Sequence, residues 1–303
     1  MKNKTYKNAI LINLKNFKNT DLDKIEITPS LRDRAETDNA SKRVLSLTTF
    51  QKIFKHQEQP YYLIANRFCF FRLKIEKRDI PSSTVNEELE IKVAKITERN
   101  GEKPKPKEIK EIKEDIIKSM LPNAFIKSSY IDFCIDKEKE ILIANVSSIN
   151  KIEDVISKIR EYTDVNYDLN EEKDLSLMMT NWLKTNDIPE CFELEDFVSL
   201  EDLGTGGVSE HKKDLIENVQ EEINSSLEQN KIVKSISLNW HKRLKFTLTD
   251  QFVIKSIKPT DVFMEYIEEE VGGSVDEISY FESSMFNFIS DVIEVFEDIQ
   301  KAE

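Results

Sequence analysis

Glycine and proline are scarce, at 6 and 8 of 303 residues, which excludes collagen-like and low-complexity chains. Cysteine is scarcer. Cys69, Cys134 and Cys191 are far apart and odd in number, which argues against a disulfide scaffold and reads as small buried hydrophobes. Histidine occurs only as His56, His211 and His241, and none stands at a zinc spacing from Cys, Asp or Glu. No apolar run approaches the roughly 20 residues of a membrane helix; the best candidate, 61–75, is broken by Arg67, Arg72 and Lys74. The N-terminus carries lysines but no signal-peptide core or cleavage site. The expected location is therefore the cytoplasm, with no membrane partner.

Catalytic signatures are equally thin. There is no nucleophile elbow. Gly204-Thr205-Gly206-Gly207 lacks the closing Gly-Lys-Ser/Thr of a Walker loop, and Ser209 stands where a dinucleotide fingerprint needs its third glycine. A plain turn is the reading. Acids are plentiful, but without a supporting motif they read as solvated surface. No cofactor, metal or enzymatic activity is expected.

What the chain does have is aromatic area and segregated charge. Seventeen Phe, eight Tyr and two Trp supply a core, and the length suits one large domain or two to three small ones. The net charge of −13 is concentrated: residues 261–303 carry −12 and 165–203 carry −9, whereas 1–19 carry +5, 42–78 carry +7 and 231–258 carry +6. Binding to a polyanion depends on a local basic surface, so the acidic total does not exclude nucleic acid. Solvated faces of a lysine-rich chain are the bland alternative.

The pattern predicts an α+β fold with antiparallel sheets. Strands are expected at 9–14, at 61–75 as two strands with an Asn66-Arg67 turn or one long strand with a bulge, at 130–135, 141–146 and 165–169, and at 192–200 as an edge strand. A weaker strand falls at 208–215, and a three-strand meander runs through 231–240, 243–248 and 253–257. Residues 19–30 resist assignment and 32–41 read as loop. Val85, Leu89, Val93 and Ile96, then Ile109, Ile112, Ile116 and Met120, recur at helical spacing around a Lys/Pro-rich break at 100–106. That is an αα-hairpin, long enough to project as a finger. Segment 92–118 holds nine basic and six acidic residues. Further helices are expected from Asn150, with Glu153 placed for a capping box, from Asp174 to Trp182, and over 216–227. Two more follow Asp261, broken at Gly272-Gly273. The last bears an apolar stripe, including Phe288, Val292 and Phe296, too wide to stay wet; it packs on the body or on another subunit. The expected regions are 1–80 (β-rich), 81–126 (hairpin finger), 127–260 (central α+β) and 261–303 (acidic helices).

Aromatic and basic residues interleave at 67–72, 125–130 and 240–246. Such mixing can hold a nucleic-acid backbone and stack bases, and it is also the look of a half-buried strand.

Five stretches fall in one order at near-constant spacing: Ile80-Pro-Ser-Ser-Thr-Val85; Leu121-Pro-Asn-Ala-Phe-Ile-Lys-Ser-Ser129; Leu175, Leu177, Thr180 and Trp182; Gly206-Gly207-Val208 with Lys212-Lys213-Asp214-Leu215; and Lys231 to Trp240 leading to Arg243-Leu-Lys-Phe246. Together they resemble the recombination-associated protein RdgC family over about 80–258. The resemblance implies a non-enzymatic protein that forms a homodimeric ring around duplex DNA, binds with little sequence preference and restrains RecA-type strand exchange in the nucleoid. It implies that Phe125 lies at the base of the finger near the DNA and that Lys212-Lys213 belong to the inner surface. With the hairpin tip and the interleaved segments, the expected DNA contacts are Lys103, Lys105, Lys107, Phe125, Lys127, Lys212, Lys213, Lys242 and Arg243. Phe288, Val292 and Phe296 are the expected dimer surface. Expected partners are double-stranded DNA, a second copy and a RecA-type recombinase. Two departures point to a divergent or mobile-element-borne member: the family's Gly-Trp-Val-Pro-like stretch has no counterpart, since 32–50 hold neither Trp nor Gly, and the tail is unusually acidic. Two other readings stand beside this one: an acidic DNA mimic directed at a recombinase or nuclease, and a nuclease with unrecognised metal carboxylates.

Overall fold

The computed structural model describes residues 6–17, 20–34, 41–49, 62–65, 67–168, 175–212, 220–271, 288 and 292. Among them are twelve strands and six α-helices. The strands are β1 (Ala9–Lys15), β2 (Arg43–Thr48), β3 (Tyr62–Ala65), β4 (Phe68–Asp79), β5 (Phe125–Asp136), β6 (Ile141–Ala144), β7 (Asn166–Asp168), β8 (Phe192–Asp202), β9 (Val208–Lys212), β10 (Lys231–Trp240), β11 (Leu244–Thr249) and β12 (Val253–Pro259). The helices are α1 (Ser82–Asn100), α2 (Pro106–Met120), α3 (Asn150–Arg160), α4 (Ser176–Thr185), α5 (Gln220–Glu228) and α6 (Asp261–Val271). The fold is α+β, and the registered strand pairs are antiparallel.

The chain divides into two compact units that are discontinuous in sequence. The first comprises Met1–Thr20, Leu63–Phe70 and Phe133–Glu303, and the second Asp21–Tyr62 and Phe71–Asp132. Strands β4 and β5 have residues in both.

In the first unit, strand neighbours run β6-β1-β12-β11-β10-β8-β9, with β7 on the end of β1. Strand β1 reads AILINLK, and Ala9 to Ile12 are all buried, as a continuous apolar run requires. The meander buries Leu244, Phe246 and Leu248 of β11 on the side of Ile236 and Leu238 of β10. Helix α3 turns Ile152, Val155, Ile156 and Ile159 inward. Its start forms no side-chain cap, so the expected capping box is absent. Helix α4 packs on β10, where the Thr180 hydroxyl donates to the Ser176 carbonyl at 2.6 Å and accepts the Val233 N–H at 2.9 Å.

An aromatic chain closes this core. Phe246 meets Phe192 at 5.9 Å and Phe288 at 4.9 Å, and Phe288 meets Trp240 at 5.8 Å, all edge-on as ring quadrupoles favour. Phe288 and Val292 are buried within their own chain, so of the two places open to the apolar stripe these residues take the body. Phe296 and the break at 272–273 lie outside the described residues. Strand β8 lies between β10 and β9, so it is not the edge strand its alternation suggested.

In the second unit β2 pairs with β4, Arg43 opposite Lys77 through Thr48 opposite Arg72. β2 lies in a stretch that carried no strand expectation. Helices α1 and α2 pack on each other as an αα-hairpin, each with one buried residue, Val85 and Ile116. Gly101 ends α1 at φ +75° with its N–H on the Thr97 carbonyl at 2.9 Å, a left-handed stop that glycine adopts cheaply. Glu108 caps the start of α2 by accepting the Lys105 N–H at 2.8 Å.

Candidate nucleic-acid interface

The second unit presents an exposed aromatic and basic face at the base of the hairpin. Side chains of a strand alternate between faces. Arg72 of β4 donates to Asp132 of β5 through Nε at 2.5 Å and Nη2 at 2.9 Å, and Ser128 bonds Glu76 at 3.5 Å. Those four residues share one face, so Lys77 of β4 and Phe125, Lys127 and Ser129 of β5 share the other. All four of the latter are exposed, Phe125 by 87%.

The polar face is locked. Glu76 is fully buried, ion-paired to Lys74 at 2.7 Å and bonded by the Leu31 N–H at 2.5 Å. Arg78, also buried, donates to the Leu121 carbonyl at 2.9 Å and the Pro122 carbonyl at 3.2 Å. These buried, charge-assisted bonds fix the end of α2, and with it the start of β5 where Phe125 stands. Lys103, Lys105 and Lys107 are exposed at the hairpin turn.

The first unit carries an open polar trough of about 600 Å³ across β10, β11 and β12. A second hollow of about 540 Å³ shares Ser235, Thr249 and Lys255 with it. Directly opposed pairs line the floor, Ser235 with Thr249 and Ser237 with Thr247, and Lys245, opposite Asn239, lines it too. The Ser237 and Thr247 hydroxyls bond at 2.9 Å.

Lys255 and Lys258 also line the trough, although three residues apart they fall on opposite faces of a regular strand. A β-bulge reconciles them. Lys245 pairs with Lys258 and Thr247 with Lys255, so two residues of β12 oppose one of β11. Ser256 in the bulge has φ +55°. The extra residue re-aims the strand and keeps Ile254 and Ile257 buried.

Most lysines nearby already have acids. Lys245 reaches Glu195 at 2.8 Å and Lys242 reaches Glu193 at 3.5 Å. Lys234 bonds Asp250 and Glu201, and the hydrogen bond to Asp250 holds its ammonium above the usual lysine range. Among the described residues, Lys255 and Lys258 have no carboxylate within ion-pair distance.

A family model described as "Putative exonuclease, RdgC" matches residues 6–301. The chain belongs to the RdgC family. Relatives named recombination-associated protein RdgC include one from Psychromonas ingrahamii, 32% identical over 215 residues that cover 69% of this chain and 70% of that protein. One from Pseudomonas syringae pv. tomato is 29% identical over 265 residues, 85% of each chain. One from Proteus mirabilis is 30% identical over 205 residues, 67% of each.

The RdgC-like motifs fall where the geometry is most constrained. The Leu-Pro-Asn-Ala-Phe stretch is the turn held by Arg78, and Thr180 of the Leu-x-Leu-x-x-Thr-x-Trp pattern is the bridge between α4 and β10. The glycine stretch is the β8–β9 turn, where Asp202 accepts the Gly204 and Thr205 N–H groups at 2.8 and 3.0 Å.

The expected DNA contacts divide between the units. Lys103, Lys105, Lys107, Phe125 and Lys127 belong to the second. Lys212, Lys242 and Arg243 belong to the first, and Lys213 lies outside the described residues. Lys212 is paired with Glu210 at 2.8 Å. Arg243 lies over the rings of Phe263 and Tyr266 of α6, at 5.9 and 5.1 Å, a cation–π arrangement. Lys242 sits in a turn where it and His241 have φ of +57° and +47°. Sequence reasoning passed over Lys245, Lys255, Lys258 and the hydroxyl ladder. The Ser-x-Ser and Thr-x-Thr rows at 235–237 and 247–249 were the available signal. Among the described residues, no group of three or more His, Cys, Asp or Glu is placed to hold a metal ion, and no helix is long and apolar enough to cross a membrane.

Proposed function

We propose that this RdgC family member is a nonspecific double-stranded DNA-binding protein, a homodimeric ring clamp that restrains RecA-type recombination in the nucleoid without an enzymatic activity of its own. The observation that carries the DNA-binding reading is the trough. Lys255 and Lys258, without a carboxylate partner among the described residues, and a ladder of hydroxyls suit phosphate oxygens, and such contacts position a duplex without reading its bases. Lysines act here as point charges, without the bidentate recognition of arginine. The exposed Phe125–Lys127 face and the tip lysines offer a second surface of the same kind. The link to recombination rests on the relatives' printed names, and the ring and the restraint of strand exchange rest on what the family resemblance implies. A closed two-fold ring needs two self-complementary contacts per pair.

The test is binding to linear and covalently closed duplexes across a salt series. The expected result is sequence-independent binding that weakens with salt, with a log–log slope of about −0.9 per phosphate neutralised, and with closed circles retained better than open ends. Absence of binding at low salt overturns the proposal and favours a DNA-mimicking role for residues 261–303, whose charge is −12. Because the family description names an exonuclease, end-labelled duplex incubated with Mg²⁺ or Mn²⁺ is the companion assay. The proposal expects it intact.

A further inference from the structure

A second bulge faces the one in β12. Between the pairs Ile236–Val198 and Leu238–Leu194, β10 has one residue and β8 has three, namely Glu195, Asp196 and Phe197. All three line the trough. From this bulge the Glu195 carboxylate accepts the Asn239 amide N–H at 2.9 Å through Oε1 and the Lys245 ammonium at 2.8 Å through Oε2. Lys245 stands directly opposite Lys258 in the β11–β12 ladder. Two ammonium groups facing each other repel, and Glu195 supplies the counter-charge on one side. The carboxylate thus holds the place that a phosphate oxygen would take beside the Lys245 ammonium and the Asn239 amide.

We propose that Glu195 is an internal competitor for DNA phosphate on Lys245, so that Lys255 and Lys258 engage the backbone while Lys245 is held back. The inference rests on the DNA-binding reading and deepens it. A phosphate that displaces Glu195 leaves that carboxylate uncompensated beside the polyanion, and like charges in contact oppose binding. The device keeps the affinity low.

The test is a cycle of Glu195→Gln, Lys245→Ala and the double variant, each checked for an unchanged melting curve and measured on one duplex over a salt series. Glutamine keeps an acceptor for Asn239 and releases Lys245. E195Q is expected to bind about tenfold more tightly and to steepen the salt slope by about 0.9. K245A alone is expected to stay within about twofold of the parent, because Lys245 is already neutralised. The double variant is expected to lose the gain of E195Q. Unchanged affinity and slope in E195Q overturns the inference, as does a gain that survives in the double variant. If E195Q fails to fold, a tenfold loss in K245A alone overturns it instead, since Lys245 would then already engage DNA. Absence of binding by the parent and E195Q alike at low salt overturns the DNA-binding reading itself, a distinct outcome.

Discussion

Phe125 exposes 87% of its surface, so little of its apolar area is buried in the fold. Phe125→Ala should change stability by no more than about 0.5 kcal/mol, yet weaken duplex binding about three- to tenfold by removing an aromatic platform. Paired denaturation and titration curves check both halves. Asp202 behaves differently. The N–H groups of Thr205 and Gly204 hold its carboxyl below the usual range. A lowered folded-state value means the contribution is fully present above the unfolded value near ~3.9 and is lost as pH falls through the folded one. The Gly204 and Thr205 amide resonances should therefore hold steady down to about pH 4 and move only below it. The position of Phe125 at the foot of the αα-hairpin was legible from its motif. Glu195 was not, because its partners Asn239 and Lys245 are 44 and 50 positions away.

Most elements follow from local pattern. The 3.6-residue period places α1 and α2, and the proline and glycine between them place the turn. The meander announces itself by alternation. Strand β2 escaped because its Arg-Val-Leu-Ser-Leu-Thr run is short and joins β4 only through tertiary pairing. The bulges escaped because an inserted residue erases the alternation by which strands are read. The β12 bulge gives a direct prediction. An L-residue in the left-handed region costs about 1–2 kcal/mol, which glycine avoids at a smaller entropic cost. Ser256→Gly should raise the urea midpoint, by about 0.5–1 kcal/mol in stability, and leave DNA affinity unchanged. Ser256→Val should lower the midpoint, since a β-branched residue resists positive φ.

For the whole molecule, the apolar tail stripe is the deciding case. Phe288 is fully buried against Trp240 and Phe246, so its loss is a core event. Phe288→Ala should cost about 3–5 kcal/mol of stability. If the proposed homodimer forms, light scattering on the protein that remains folded should still report twice the 35.4 kDa chain mass. Dissociation at undiminished stability would instead assign Phe288 to the dimer surface. The net charge of −13 belongs to this scale too. It makes the proposed DNA binding depend on local basic surfaces, so raising salt should weaken any such binding without changing the particle mass.

Composition, period and motif order alone established the α+β class, the hairpin, the meander and the family, because each depends on residues close together in the chain or on their order along it. Which lysines are held by glutamates, and which have no carboxylate among the described residues, was decided only by tertiary structure. Two bulges set that outcome, and a bulge is defined by the register between strands, which local pattern does not contain. The two units, each assembled from separated segments, were hidden for the same reason: strand pairing joins residues that the sequence keeps far apart.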